Sequence, residues 1–284
     1  MNEVLTTRKT ARRIRASLKA DCSKCFGLCC TALHIIASND FPINKPAGVP
    51  CDNLQADYGC RIHSELRGKG FKGCTVFDCL GAGQAVSQKT FRGKSWRENR
   101  NIGEKMYQVF PIMEQIHEMI AYTAEALSYE LPQTLAKELS RQLKELEALT
   151  ELNADELAAL DLVMYRFSLN ELLISASDII REKNMKNVRI RGRELNQTRA
   201  DWMGRKVAGQ DLRATNFRGA YLIAADLKDT DLRAVNFIGA DLRDADFSGA
   251  DLSASMFLTQ MQINAAKGNN KTKLPFYLER PSHW

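Results

Sequence analysis

The sequence predicts a multidomain α+β protein with a cysteine-rich metal-binding domain, an α-helical middle block and a C-terminal solenoid. Three observations predict it. All eight cysteines of the 284-residue chain lie between Cys22 and Cys79. Apolar residues then recur at three- and four-residue steps, the period of a helix. From 210 to 259 the period becomes five, which neither a 3.6-residue helix nor a two-residue strand produces. The expected boundaries are a basic arm at 1–20, the cysteine-rich domain at 21–95 and the helical block at 96–188. The solenoid with its cap follows at 189–268, and a tail at 269–284.

The arm is rich in arginine and lysine from Arg8 to Lys19 and lacks the apolar segment of a secretion signal, so a reducing, cytoplasmic setting is expected. Alone it reads as a solvated helix or a frayed terminus. Residues 1–97 carry 16 Lys/Arg against 7 Asp/Glu, whereas 98–189 carry 10 against 16. The basic excess reads as cations surrounding thiolates. No aromatic-interleaved basic motif points to nucleic acid, and no run approaches the ~18 apolar residues of a membrane span.

The thiol spacing is C-x2-C-x3-C-C-x20-C-x8-C-x13-C-x4-C, through Cys22, Cys25, Cys29, Cys30, Cys51, Cys60, Cys74 and Cys79. In a reducing compartment such a set favours metal ligation over disulfides. C-x2-C lets one tight turn bring two sulfurs to one ion, and later thiols complete a tetrahedron. Eight thiolates can hold two zinc ions with four sulfurs each, or one iron–sulfur cluster with the remainder free. The expected ligands are these eight cysteines, with zinc as cofactor and an iron–sulfur cluster as the alternative. His63 and His34 stand near the cysteines in sequence and read as outer or surface residues. The vicinal Cys29–Cys30 pair allows a nucleophilic or redox role only if a thiolate is stabilised there. Gly81–Ala82–Gly83 reads as a turn or helix start.

In the middle block Met106, Val109, Met113, Ile116, Ile120, Ala124 and Leu127 form one apolar stripe, with a kink or restart expected at Pro111. A second helix is expected after Leu131, with Pro132 near its first position and Leu135, Leu139, Leu143 and Leu146 along one face. A third is expected from the N-cap Asn153 onward toward Ile180, carrying Leu157, Leu160, Met164 and Phe167. His117 reads as a partly buried core histidine.

From 210 to 259 the chain is ten pentads without a gap, centred on Leu212, Phe217, Leu222, Leu227, Leu232, Phe237, Leu242, Phe247, Leu252 and Phe257. Stacking is the physical reason for such regularity, since one unit cannot bury its own apolar face. If each pentad turns one corner of a square coil, twenty residues close a turn. Phe217, Phe237 and Phe257 then form one internal ladder, and Leu212, Leu232 and Leu252 another. Trp202 and Val207 extend the register to three coils, a rod of roughly 15 Å. Ile223, Ile238 and Leu258 would point outward and pack on the helical block or a second chain. Thr259 would cap a short helix, Gln260–Lys267, that covers the open coil.

The repeating A-(D/N)-L-x-x pattern resembles the pentapeptide-repeat family over about 200–264, which implies a right-handed quadrilateral β-helix. DCSKCFGLCC, Cys51, the CRI at 60–62 and the GC at 73–74 resemble the CxxCxxCC-type zinc- or iron-chelating domain, with one extra residue before Cys29–Cys30. A related cysteine cluster occurs in a flagellin lysine methylase, but no glycine-rich methyl-donor motif is found here. Resemblance to quinolone-resistance pentapeptide proteins would imply a topoisomerase-binding DNA mimic; a short, near-neutral rod argues against it. The expectation is a non-enzymatic interaction scaffold with a thiolate metal site. The alternative is an iron–sulfur enzyme or redox sensor. An unidentified protein partner or a homodimer is expected, without membrane or nucleic acid.

Overall fold

A computed structural model describes residues 2–185 and 195–284, with side chains from residue 8 onward. The expected boundary at 188/189 lies outside the described residues. The chain divides into two compact units. One comprises 17–124 and 138–169; the other comprises 1–16, 125–137 and 170–284. Among the described residues no helix is long and apolar enough to cross a membrane.

The α+β expectation is corrected. Among the described residues there is no β-strand and no sheet; regular structure is helical, and the repeat is a stack of turns joined by isolated one-residue bridges. A quadrilateral β-helix made of strands is therefore not what these residues form. The reason lies in the pentad. Each unit leaves one residue extended before the next corner, too few to make a strand.

The helices are α1 (Asn2–Ser17), α2 (Leu28–Thr31), α3 (Lys72–Val76), α4 (Ala82–Gln84), α5 (Arg100–Ser128), α6 (Gln133–Leu149), α7 (Ala154–Ala158), α8 (Val163–Asn184) and α9 (Gln260–Ala265). Helix α5 runs through Pro111 without the expected restart. Proline forgoes one backbone hydrogen bond there. Met106, Val109, Phe110, Met113 and Ile116 around it are almost wholly buried, which offsets the loss. His117 is buried, its Nδ1 2.8 Å from the Leu80 carbonyl, and burial pulls its pKa down. Leu139, Leu143 and Leu146 of α6 are buried as their spacing requires.

The expected third helix is two helices. Asn153 and Glu156 form a capping box on α7, which ends at Ala158. Asp161 then accepts from the Val163 N–H at 2.9 Å, where α8 starts. Met164 and Phe167 are about two-thirds exposed, at 65% and 61%, while Leu157 is buried.

In the unit that contains the repeat, bridges join residues twenty apart: Asp201 to Tyr221, Asp211 to Asp231, Asn216 to Asn236, Asp231 to Asp251 and others in register. The bridged residue is the one before each pentad centre. Bridging begins at Asn196, one pentad upstream of Trp202. Two residues after each centre the backbone is left-handed, from Arg199 through Gly209, Ala214, Ala224, Asp229, Ala234 and Asp244 to Gly249. That is the demand of a type II corner. Inside, Phe217 and Phe237 stack with centroids 5.9 Å apart, and Leu212, Leu232 and Leu252 are buried. Phe257 is buried too, but its own φ is +59° and its N–H donates to Glu125, so the regular coil ends there.

Thr259 caps α9 through a box with Gln262, whose side chain also donates to the carbonyls of Phe237 and Ala240. The helix ends at Ala265 rather than Lys267. The chain then rejoins the coil, with Lys267 bridging Asp246 and Lys273 bridging Asp251. Trp284 lies over Gly268, where a Cβ would fall 2.4 Å from the ring, and its Nε1 donates to the Ala266 carbonyl at 3.0 Å. The segment read as a tail thus covers the last coil.

Helix α1 is neither frayed nor solvated on all sides. Arg15 is buried against Glu125 (Nε to Oε2, 3.7 Å), stacks on Tyr277 at 3.9 Å and donates to the Leu258 carbonyl. Burial pushes the Glu125 carboxyl up despite Arg15. The second half of α8 lies along the coil, through Asn236 to Ser177 at 2.9 Å and Arg181 to the Ala214 carbonyl at 2.7 Å. Leu258 is buried, and Ile223 and Ile238 are half-buried.

Candidate thiol site and coil surface

Turns, rather than long elements, place the thiols. Asp21 caps a 3-10 turn at Cys22–Lys24, and the Cys25 N–H donates to the Cys22 carbonyl at 3.3 Å. Gly27 then adopts φ +64° with Leu54 so close that a Cβ would meet its side chain at 2.7 Å. This tight reversal starts α2, which carries Cys29 and Cys30 with sulfurs 3.9 Å apart. The Cys51 N–H donates to the Cys30 carbonyl at 3.0 Å, and an antiparallel bridge joins Leu54 to Cys60. Cys74 rides on α3. After Cys79 the chain turns through Leu80 and Gly81 into α4, where Gly83 leaves room for the sulfurs of Cys25 and Cys79.

Residues far apart in sequence support these turns. Phe26, Tyr58 and Trp96 form a ring series with centroids 5.0 and 6.1 Å apart. Trp96 Nε1 donates to the Phe26 carbonyl at 2.7 Å, and Arg97 lies over Tyr58 while donating to the Gln55 carbonyl. Lys45 is the cation that sequence reading missed. Its buried ammonium sits among the carbonyls of Thr31 (3.1 Å), Leu33 (2.5 Å), Pro46 (3.1 Å) and Val49 (2.9 Å). Burial lowers its pKa, opposed by the neighbouring thiols of Cys51, Cys30 and Cys29.

All eight cysteines are free thiols, and only Cys22 is exposed. Cys30 is pulled down to about 7, first by its hydrogen bond with Cys29, against burial, with Lys45 adding a favourable charge. The same hydrogen bond, then burial, drives Cys29 upward. Burial raises Cys74 to about 12 and Cys79 to about 11, and also raises Cys22, Cys25 and Cys60. His34 and His63 are exposed. Among the described residues, no three His, Cys, Asp or Glu side chains are placed to hold one metal ion. The donor chemistry of a thiolate site is thus present, while its closure around an ion is not. The structure gathers the expected ligands in one unit without joining them.

On the coil, acidic side chains before each centre pair with cations two residues on: Arg213 with Asp211, Arg233 with Asp231 and Arg243 with Asp241, each between 2.5 and 2.6 Å. Lys228 also reaches Asp246 on the next coil at 3.4 Å. Met203 and Tyr221 stand more than half exposed on adjacent coils.

The family model described as pentapeptide repeats matches residues 210–253 in eight copies. Over 291 aligned residues the chain is 48% identical to the protein described as "Uncharacterized protein YybG" of Bacillus subtilis (strain 168). The match covers 95% of this chain and 96% of that protein, so the likeness includes the cysteine-rich and helical parts as well as the repeat.

Proposed function

The chain belongs to the pentapeptide-repeat proteins and to the family of YybG, and from that premise we propose that it is a non-enzymatic, cytoplasmic interaction scaffold carrying a thiolate metal site. The coil surface carries this reading. Asp211, Asp231, Asp241 and Asp246 pair with Arg213, Arg233, Arg243 and Lys228 in turn, and on the side of the coil that carries Asp241 the side chains of Met203 and Tyr221 stand exposed. Apolar side chains rimmed by satisfied charge suit contact with a protein, either an unidentified partner or a second copy. An acidic rod imitating duplex DNA needs unpaired carboxylates, so topoisomerase binding is the weaker reading.

The cysteine module supplies the second half. Buried thiols raised by their surroundings stay protonated alone, and a cation would relieve that cost while adding folding free energy. The residues proposed to hold it are Cys22, Cys25, Cys29, Cys30, Cys51, Cys60, Cys74 and Cys79, with zinc the ion proposed. The vicinal Cys29–Cys30 pair, with Cys30 near neutrality, favours a second reading: an iron–sulfur enzyme or redox sensor built on the same thiols. Metal analysis with a visible spectrum of aerobic and anaerobic preparations separates them. Colourless protein with bound zinc supports the scaffold; a brown, oxygen-labile protein supports the second reading.

A further inference from the structure

Glu125, at the end of α5, is buried together with Arg15 of α1 and Tyr277 of the C-terminal segment, and all three belong to the unit that contains the coil. Glu125 Oε1 accepts from the Phe257 N–H at 2.6 Å and from the Tyr129 hydroxyl at 3.2 Å. Arg15 donates through Nη2 to the Leu258 carbonyl at 3.1 Å. Three buried atoms of the cluster are left without a hydrogen-bond partner among the described residues: Arg15 Nε, Glu125 Oε2 and the Tyr277 hydroxyl. We infer that these three atoms hold one ordered water molecule, an internal ligand that ties the N-terminal helix and the C-terminal segment to the end of the last coil. The inference goes beyond the scaffold reading and does not involve the thiols.

The geometry leaves the three atoms to a shared partner. Nε and Oε2 are 3.7 Å apart, too long for a direct bond, whereas one water beside the pair reaches both. The Arg15 guanidinium stacks on the Tyr277 ring at 3.9 Å, and the Tyr277 hydroxyl faces the Glu125 carboxyl. The gap cannot close without loss elsewhere. Arg15 is fixed by its stack and by the Leu258 carbonyl, and Glu125 by the Phe257 amide.

The donor set selects the ligand. Nε–H only donates, an ionised carboxylate only accepts, and the hydroxyl does either. The guanidinium repels a metal ion, and the carboxylate repels an anion. Water is neutral, donates and accepts, and in protein interiors makes about three hydrogen bonds to otherwise unsatisfied groups. A protonated Glu125 would donate from Oε2 instead, and water accepts that bond equally.

The test is a crystal structure of the unmutated chain. A density peak within about 2.7–3.2 Å of Arg15 Nε, Glu125 Oε2 and the Tyr277 hydroxyl is expected. Direct contact of Nε with Oε2, or no peak among the three atoms, overturns the inference. Tyr277→Phe gives an independent readout in solution, because it keeps the ring and removes only the hydroxyl. Deleting a buried hydroxyl that has no partner would leave Tm unchanged or raise it, whereas deleting one bonded to the water lowers it. The expected result is a Tm lower by roughly 2–4 °C. Faster hydrogen exchange should accompany it at Leu278, whose N–H donates to the Pro275 carbonyl, with exchange at Phe217 unaltered. An unchanged or higher Tm overturns the bond assigned to the hydroxyl.

Discussion

The coil and the cysteine module solve the same problem by opposite means. In the coil each pentad repeats one set of contacts, so Phe217, Phe237, Phe247, Leu222 and Leu227 are wholly buried and the backbone bonds run from turn to turn. In the cysteine module Leu28, Ile35, Leu66 and Phe71 are among the few large buried apolar side chains, and the bridges Ile35 to Lys45, Ser38 to Phe41 and Leu54 to Cys60 follow no repeat. There the order comes from tight turns, a buried lysine and an aromatic series. Periodic burial stabilises a chain locally, whereas a small loop-built unit needs polar or metal staples.

Four substitutions or conditions sharpen that contrast. The largest effect is expected from Phe237→Ala, which removes a stacked ring from the coil core and should cost about 3–5 kcal/mol in denaturant unfolding. The alkylation rates of the thiols should stay unchanged. Next, Lys45→Met strips a donor from the carbonyls of Thr31, Leu33, Pro46 and Val49 and should cost about 2 kcal/mol. Faster thiol alkylation should accompany it, with the coil's hydrogen exchange unaltered.

Gly249→Ala should cost about 1–2 kcal/mol. Its φ is +75°, and the new Cβ would lie 1.9 Å from an oxygen of Asp229 one coil below. Differential scanning calorimetry reads that change as a lower Tm. The smallest effect is acid sensitivity. A hydrogen bond from Arg213 holds the Asp211 carboxyl below its ordinary 3.8. A depressed carboxylate stabilises the fold above the unfolded value, and that contribution is lost as pH falls through the folded one. Stability should therefore slope downward below about pH 4, and Asp211→Asn should flatten the slope by less than about 1 kcal/mol because the pair is partly exposed.

Much of this was legible in sequence, and the failures have physical causes. The twenty-residue stacking follows from Leu and Phe at every fifth position, because those residues fill the interior together with small ones such as Ala220, Ala225, Ala245 and Ala250. The corner conformation was not legible: Ala214, Ala224, Asp229 and Asp244 adopt left-handed angles usually left to glycine, so no residue type marks them. Strand content was overestimated because a bridge of one residue carries no alternation. The break before α8 turned on Asp161, a second cap hidden inside a continuous apolar pattern. The thiols themselves were legible, but their placement was not. It depends on Gly27, Gly83 and the distant trio Phe26, Tyr58 and Trp96, which no local period connects.

The coil is held by its own stacking, whereas the cysteine module is proposed to be held through its thiols. Hydrogen exchange of the intact chain, before and after metal removal by a chelator, tests it most directly. Amides from Cys22 to Cys79 should lose protection while those from Trp202 to Lys273 keep theirs. Equal loss in both regions, or no change in either, would contradict it.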